Sequence, residues 1–248
     1  MKANAELPNL SGALRNVRRA FKGDDHHRLR SWDHCWKYWR LFLKNDAPNN
    51  QQSDLAALHL AFYLASFGMY RGSADLRLKD YKALLPIVDI LKTKSKILPV
   101  NCIFLMKSDS ELIENIQELA ALLTSELKRK EINPSDILLS KMIFVTLGWI
   151  PAFDSYVKTA LKNILKNKYP TGCGFSKHRL KETIALARRS KKSLLKEKHL
   201  FVKQCTITYA MPLARIFDFY LWQYGGDLIK DKDRPVRLSA HKIAGSSS

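Results

Sequence analysis

The segment 134–166 constrains the fold of this chain more than any other stretch, because it holds two helical patterns separated by a well-marked break. An apolar helix is predicted up to Leu147, and Gly148 suits the left-handed residue that often ends a helix. Pro151 cannot continue a helix, because it lacks a backbone N–H and its ring blocks the preceding turn. A second, basic helix is predicted over 155–166. We therefore expect two helices joined by a short, largely apolar turn.

Asp154 stands where the second of these helices is predicted to begin. Asp is a preferred N-cap residue, because its carboxylate accepts backbone N–H groups that have no partner within the helix. A capping role alone would account for this residue. However, the turn before it is apolar (Trp149, Ile150 and Phe153), and the most basic part of the chain follows it. A functional carboxylate is therefore a second interpretation that stays open.

The residues Leu147-Gly148-Trp149, followed by Ala152-Phe153-Asp154-Ser155-Tyr156-Val157, resemble the segment that carries the catalytic aspartate in helix–hairpin–helix DNA glycosylases. In that family an apolar helix ends in a glycine-containing turn, and an aspartate opens the next helix. The match covers about twenty of the 248 residues. The resemblance implies a mainly α fold. It also implies that Asp154 stabilises an oxocarbenium-like transition state and aligns the attacking water.

Two features depart from the family pattern. The family's hairpin, of the Leu-Pro-Gly-Val-Gly kind, is replaced by Ile-Asn-Pro-Ser-Asp at 132–136. The apolar helix is also about one turn short if Lys141 is equated with the lysine nucleophile of the bifunctional members. The resemblance thus implies a catalytic role for Asp154 more strongly than for Lys141, and it implies a monofunctional glycosylase.

A base extruded from DNA needs a pocket with aromatic or apolar faces. Trp149 and Tyr156 flank Asp154 in the sequence, and the loop after the predicted helix 55–67 contributes Tyr70 and Arg71. These side chains offer stacking and polar contacts. In the glycosylase interpretation all four residues line the base pocket. Alternatively, the loop is a plain helix–helix turn in which Arg71 caps carbonyl groups.

The charge distribution predicts a polyanionic partner. The chain has 42 Lys and Arg against 23 Asp and Glu, a net charge of +19, and residues 155–217 contain 15 basic and 2 acidic side chains. Neutralising phosphates releases counterions, so such a surface favours double-stranded DNA with a modified base as the partner. A solvated basic face without a ligand is the alternative. The residues assigned to backbone phosphates are Lys158, Lys162, Arg188, Arg189, Lys191 and Lys192.

Several classes of protein are disfavoured by the sequence. No apolar run is long enough for a membrane span, and neighbouring histidines at 26, 27 and 34 have no second ligand pair at metal spacing. We therefore predict a cytoplasmic monomer without a metal, a cofactor or a membrane contact. The four cysteines are far apart and form no Cys-x-x-Cys pair, which is typical of reduced thiols: Cys35, Cys102, Cys173 and Cys205.

Helical periodicity predicts a mainly α, multi-helix protein, arranged as one compact domain or as two helical lobes with a cleft. We expect a basic, loosely ordered N-terminal arm at 1–28, a helical domain at 29–230 and a flexible tail at 231–248. The stretch 93–107 fits either a strand or a short buried helix. Further predicted helices are 30–44, 55–67, 76–92 interrupted or kinked by Pro86, 108–130 with Ser108 as cap, 178–199 with Ser176 as cap, and 206–224 around Pro212 and ended by Gly225-Gly226.

Two functions stay open on the sequence. One is a DNA glycosylase that removes a modified or damaged base, in DNA repair or in antiviral defence. The other is a non-catalytic, basic, helical nucleic-acid-binding protein in which Asp154 is only a helix cap. A nuclease is less supported, because the sequence has no clustered carboxylates or Arg/His pair.

Overall fold

The computed structural model describes residues 7–72, 74–166 and 175–232, and these residues form α-helices, two 3₁₀ turns and no strand. The prediction of a mainly α protein is therefore confirmed. The helices are α1 (Leu10–Gly23), α2 (Arg30–Phe42), α3 (Asn50–Ser66), α4 (Leu85–Lys94), α5 (Cys102–Leu105), α6 (Asp109–Arg129), α7 (Asp136–Leu147), α8 (Ser155–Leu165), α9 (Lys177–Arg189), α10 (Lys191–Gln204) and α11 (Leu213–Lys232).

Helix α11 packs along α8 and also contacts α1 and α10. The α8–α11 crossing is closest at Gly225, where an added Cβ would lie 1.9 Å from the carbonyl oxygen of Tyr156. On another side of the core, α2 packs on α3 and α7. None of the helices of the described residues is both long and apolar enough to cross a bilayer.

The helix boundaries with strong local signals are where the sequence predicts them. Ser108 and Ser176 cap α6 and α9 by accepting the backbone N–H of the residue three positions later, at 3.3 Å in each case. Gly148 follows α7 with a left-handed backbone (φ 65°), and Asp154 caps α8. These ends are correct because they depend on capping groups that lie within four residues of one another.

Three predicted elements are wrong in detail. Residues 76–92 do not form one helix, because Asp80 accepts the Lys82 N–H at 2.7 Å and starts a separate 3₁₀ turn. Pro86 lies in the first turn of α4, where its missing N–H costs nothing, so it does not kink the helix. Residues 93–107 contain the short, largely buried helix α5, which is one of the two structures predicted for them. The predicted helix 178–199 is divided into α9 and α10 at Ser190. Gly225-Gly226 does not end α11, which continues to Lys232.

The N-terminal segment also differs from the expectation of a loosely ordered arm. Residues 10–23 form α1, and the buried ring of Phe21 packs on Phe201 and Phe219 at centroid distances of 5.2 and 5.6 Å. Arg18 forms an ion pair with Glu197 of α10 (2.7 Å). The segment is therefore part of the core. Residues 1–6 and most of the predicted tail, 233–248, lie outside the described residues, as does Cys173.

Candidate active site

The turn between α7 and α8 fixes the position of Asp154 through the two residues that precede it. The backbone N–H of Phe153 donates to the hydroxyl of Ser140 on α7 at 2.8 Å. The backbone N–H of Ala152 donates to Oδ1 of Asp218 on α11 at 2.9 Å. Because both bonds are buried, the turn is tied to two helices immediately before the carboxylate.

The Asp154 carboxylate is half-buried and caps α8, with Oδ1 accepting the backbone N–H of Val157 at 3.0 Å. The same side chain also lines a small internal cavity. The capping role and a place in a cavity, which the sequence leaves as alternatives, are therefore combined in one residue.

The Asp154 cavity, as we call it, brings together side chains from distant parts of the chain. Its free volume is about 10 Å³, which is close to the space one water molecule needs. Its acidic and basic residues are Lys141, Asp154, Arg215 and Asp218, and its wall is completed by Leu29, Tyr63, Phe67, Ala152, Phe219 and Trp222.

Lys141 reaches this cavity from the middle of α7 and is only 4% exposed. Its Nζ lies 3.5 Å from the carbonyl oxygen of Phe67 and 4.7 Å from the centre of the Phe67 ring. Burial lowers the pKa of Lys141, and the negative charges of Asp154 and Asp218 partly offset that effect. The structure therefore brings the two predicted catalytic residues to one cavity, although the resemblance implied a catalytic role for Lys141 less strongly than for Asp154.

Asp218 is a third ionisable residue of the cavity, and sequence reasoning missed it. Burial raises its pKa to about 7, against the opposing effect of Arg215, whose Nη1 lies 3.8 Å from Oδ2. A carboxyl group with a pKa near neutrality can take up or release a proton under physiological conditions. The signal in the sequence was an acidic residue placed between Phe217 and Phe219 in a strongly apolar helix.

Arg215 is fully buried and supports Asp218 from the same helix. Its guanidinium donates to the carbonyl oxygen of Leu29 at 3.0 Å and lies over the rings of Phe219 and Trp32, at 3.9 and 4.3 Å from their centres. Its positive charge also lowers the pKa of Asp33, although burial raises that pKa by more. Arg215 therefore compensates buried negative charge in the region behind the cavity.

None of the four residues predicted to line a base pocket lines the Asp154 cavity itself. The Trp149 side chain is 1% exposed, belongs to the core and does not line the cavity. Tyr156 is half-buried, and its ring packs edge-on against Trp222 of the cavity wall (5.8 Å between centroids). Tyr70 has a buried hydroxyl without a hydrogen-bond partner among the described residues. Arg71 is exposed and lies close to Gly68, directly after Phe67.

Arg28 is a further residue at this site that the sequence did not indicate. Its exposed guanidinium lies 5.9 Å from the centre of the Trp222 ring, and its charge contributes to the lowered pKa of Lys141, after burial. An exposed cation therefore lies beside the aromatic wall of the Asp154 cavity.

The six residues predicted to bind DNA phosphates fall into two groups. Arg188 donates to the carbonyl oxygens of Ile103 (3.1 Å) and Met106 (2.7 Å) and pairs with Asp109, and Lys191 donates to the carbonyl oxygen of Phe104 (3.2 Å). These two cations thus hold α5 and the segment after it against α9 and α10. Of the other four, Lys162, Arg189 and Lys192 are exposed, and Lys158 is half-buried like Arg188 and Lys191.

Comparison with known proteins adds nothing to this geometry, since no family model, curated protein or solved structure matches the chain. Within residues 7–72, 74–166 and 175–232, no group of three or more His, Cys, Asp or Glu side chains is arranged to hold a metal ion.

Proposed function

We propose that the protein is a DNA glycosylase that hydrolyses the N-glycosidic bond of a modified or damaged base. The observation that carries the proposal is the Asp154 cavity, where Lys141, Asp154 and Asp218 from three different helices meet. Burial shifts the pKa values of Lys141 and Asp218, and ionisable groups with such perturbed pKa values in one cavity are typical of active sites. The local resemblance around Asp154 gives the reaction type.

Asp154 has the role of stabilising the positive charge that develops on the deoxyribose. One carboxylate oxygen, Oδ1, is fixed by the helix cap at Val157, so the group is already oriented before substrate binds. A fixed charge in a largely buried site stabilises a developing opposite charge more strongly than a charge in water does.

Asp218 has the role of the general base. Its pKa of about 7 suits proton transfer at neutral pH, and the volume of the Asp154 cavity suits one water molecule. In the reaction the water oxygen bonds to C1′ of the sugar while its proton passes to Asp218. The C1′–N bond breaks, its electron pair leaves with the base, and the base then takes a proton from solvent.

The role of Lys141 distinguishes a glycosylase that only hydrolyses the bond from a bifunctional one that also has lyase activity. Its lowered pKa makes the neutral amine more accessible, which is a property of lysines that attack C1′ directly and form an imine. The hydrolytic proposal predicts no covalent enzyme–DNA product after borohydride reduction. A trapped product that disappears in Lys141→Gln would instead assign Lys141 as the nucleophile of a bifunctional glycosylase.

The proposal requires the cavity to open, because about 10 Å³ is far too small for a nucleobase. Phe67 and Trp222 are the half-buried aromatic residues of its wall, and Tyr156 packs on Trp222. We propose that these rings separate when DNA binds and then stack on the extruded base, as enzymes that act on flipped bases require. Arg28, beside Trp222, would contact the backbone next to the extruded nucleotide.

The test is base release from duplex DNA that carries single modified bases of different classes, with abasic sites detected by alkaline strand cleavage. The proposal predicts abasic sites from at least one substrate class. If DNA binds but no substrate releases a base, the enzymatic proposal is wrong.

The second candidate is a non-catalytic nucleic-acid-binding protein. The small volume of the Asp154 cavity favours it, as does the cap that Asp154 provides for α8. This alternative predicts DNA affinity that falls steeply with salt and no abasic product under any condition. It also predicts that removing the charge of Asp154 changes neither the affinity for DNA nor the chemical state of the DNA.

A further inference from the structure

A second cavity lies between the N-terminal turns of two helices, and neither Asp154 nor Lys141 lines it. We call it the α1/α10 cavity. Its volume is about 560 Å³, within the range of small-molecule sites. The α1 side contributes Asn9, Ser11 and Gly12, and the other side contributes Arg189, Ser193 and Lys196.

Both helix N-termini in this cavity lack a side-chain cap. The Asn9 side chain accepts no capping bond from α1, and the Ser190 side chain accepts none from α10. Uncapped backbone N–H groups and the positive end of the helix dipole attract anions. The first turns of both helices therefore line one space, although α10 starts directly after α9, which ends at the same residue, Ser190.

Ser190 provides an independent indication of a ligand. This residue is 6% exposed and lies in the wall of the cavity, and its hydroxyl has no hydrogen-bond partner among the described residues. Buried hydroxyl groups in native proteins are almost always paired. The hydroxyl oxygen itself has almost no accessible surface, so a ligand oxygen in the cavity would supply the missing partner once the Ser190 side chain rotates towards it.

The charges around the cavity favour an anion. Glu197 is the acidic residue of its wall, but Oε2 lies 2.7 Å from Arg18 Nη1 and Oε1 accepts the hydroxyl of Ser11 at 2.5 Å. This buried pair is neutral overall, and it holds α1 against α10. The exposed cations Arg189 and Lys196 thus leave the cavity positive.

We propose that the α1/α10 cavity binds a phosphate group, supplied either by a phosphomonoester or by the phosphodiester backbone of a nucleic acid. The arginine and the lysine would pair with the phosphate oxygens, while the Ser190 hydroxyl and the backbone N–H groups of the two first turns would donate to them. This binding does not depend on base excision at Asp154.

The experiment is a calorimetric titration of the full-length chain with inorganic phosphate. Arg189→Gln and Lys196→Gln should each weaken binding about tenfold or more, because each removes a charged hydrogen-bond partner. Ser190→Ala should weaken it by a smaller factor. Lys203→Gln is the matched control, because Lys203 is exposed on α10, has the same charge and does not line the cavity. It should leave phosphate affinity within about twofold of the wild type.

Three DNA probes distinguish the source of the phosphate: a short single strand with a 5′-phosphate, the same strand without it, and a blunt duplex without terminal phosphates. If the protein prefers the strand with the 5′-phosphate, and Arg189→Gln abolishes this preference, the ligand is a phosphomonoester. If the three probes bind equally well, and Arg189→Gln and Lys196→Gln weaken this binding while Lys203→Gln does not, the ligand is the phosphodiester backbone. The proposal is overturned if no probe binds, or if Lys203→Gln weakens binding as much as the other two. Because base release is not measured, this result stands apart from the glycosylase test.

Discussion

The carboxylate of Asp218 accepts the backbone N–H of Ala152 at 2.9 Å, which joins the middle of α11 to the turn that carries Asp154. This bond links the group with a pKa of about 7 directly to the backbone that orients the second carboxylate. A change at Asp218 should therefore act on the protein in a way that depends on pH.

Replacing Asp218 by Asn should make the free energy of unfolding less dependent on pH between about 4 and 7. The pKa is raised from 3.8 to about 7 in the folded chain, so the folded state keeps a proton that the unfolded state has lost. In the wild type this contribution is fully present below about pH 4 and is lost as the pH rises through 7, by up to about 1.4 kcal/mol per pH unit.

Urea unfolding at several pH values measures this effect. The stability of Asp218→Asn relative to the wild type should increase from pH 4 to pH 7, and the control Asp24→Asn, at an exposed carboxylate, should follow the wild type. Parallel curves for Asp218→Asn and the wild type would show that the pKa of Asp218 is not raised.

The adjacent glycines of α11 should respond in opposite directions to alanine. A Cβ at Gly225 would lie 1.9 Å from the Tyr156 carbonyl oxygen, whereas nothing lies within 4 Å of a Cβ at Gly226. Gly225→Ala should lower the free energy of unfolding by about 1–3 kcal/mol or more through overpacking. Gly226→Ala should raise it by up to about 1 kcal/mol, because alanine is the better helix former. Chemical denaturation compares the two, and equal effects would contradict the close α8–α11 crossing.

Replacing Arg188 and replacing Arg189 should have different effects on the free energy of unfolding, measured by chemical denaturation. Arg188→Gln removes bonds to the carbonyl oxygens of Ile103 and Met106 and the pair with Asp109, and it should cost about 1.5–3 kcal/mol of stability. Arg189→Gln, at the exposed neighbour, should change stability by less than about 0.5 kcal/mol. If the two variants were equally stable, Arg188 would be free to bind DNA as the sequence suggested.

The elements that the sequence predicted correctly are those with local causes. The starts of α6, α8 and α9 follow from Ser108, Asp154 and Ser176, which accept N–H groups three residues away. The continuation of α11 through Gly225 has a tertiary cause, since the missing Cβ allows contact with α8. Periodicity along one chain segment cannot reveal that cause.

The candidate site was predictable only in part, for the same reason. Asp154 and Lys141 belong to the one segment with a recognisable pattern, but Asp218 and Arg215 join them only through the packing of α11. Trp149 is near Asp154 in sequence, yet its side chain points into the core because it follows the left-handed turn at Gly148. Sequence proximity therefore indicated the segment that carries Asp154 better than it indicated the other residues of the cavity.

The most direct test of the central claim compares Asp154→Asn with Asp24→Asn in single-turnover base excision on a substrate that the wild type cleaves. Asn is also a good N-cap, so Asp154→Asn should keep α8 capped while it removes the charge. Asp24 is an exposed carboxylate that likewise accepts a backbone N–H, that of His26 at 2.8 Å.

We predict that Asp154→Asn lowers the excision rate by about 100-fold or more with DNA affinity unchanged or slightly increased, while Asp24→Asn retains the wild-type rate. Full excision activity in Asp154→Asn would contradict the assignment of the Asp154 cavity as the active site.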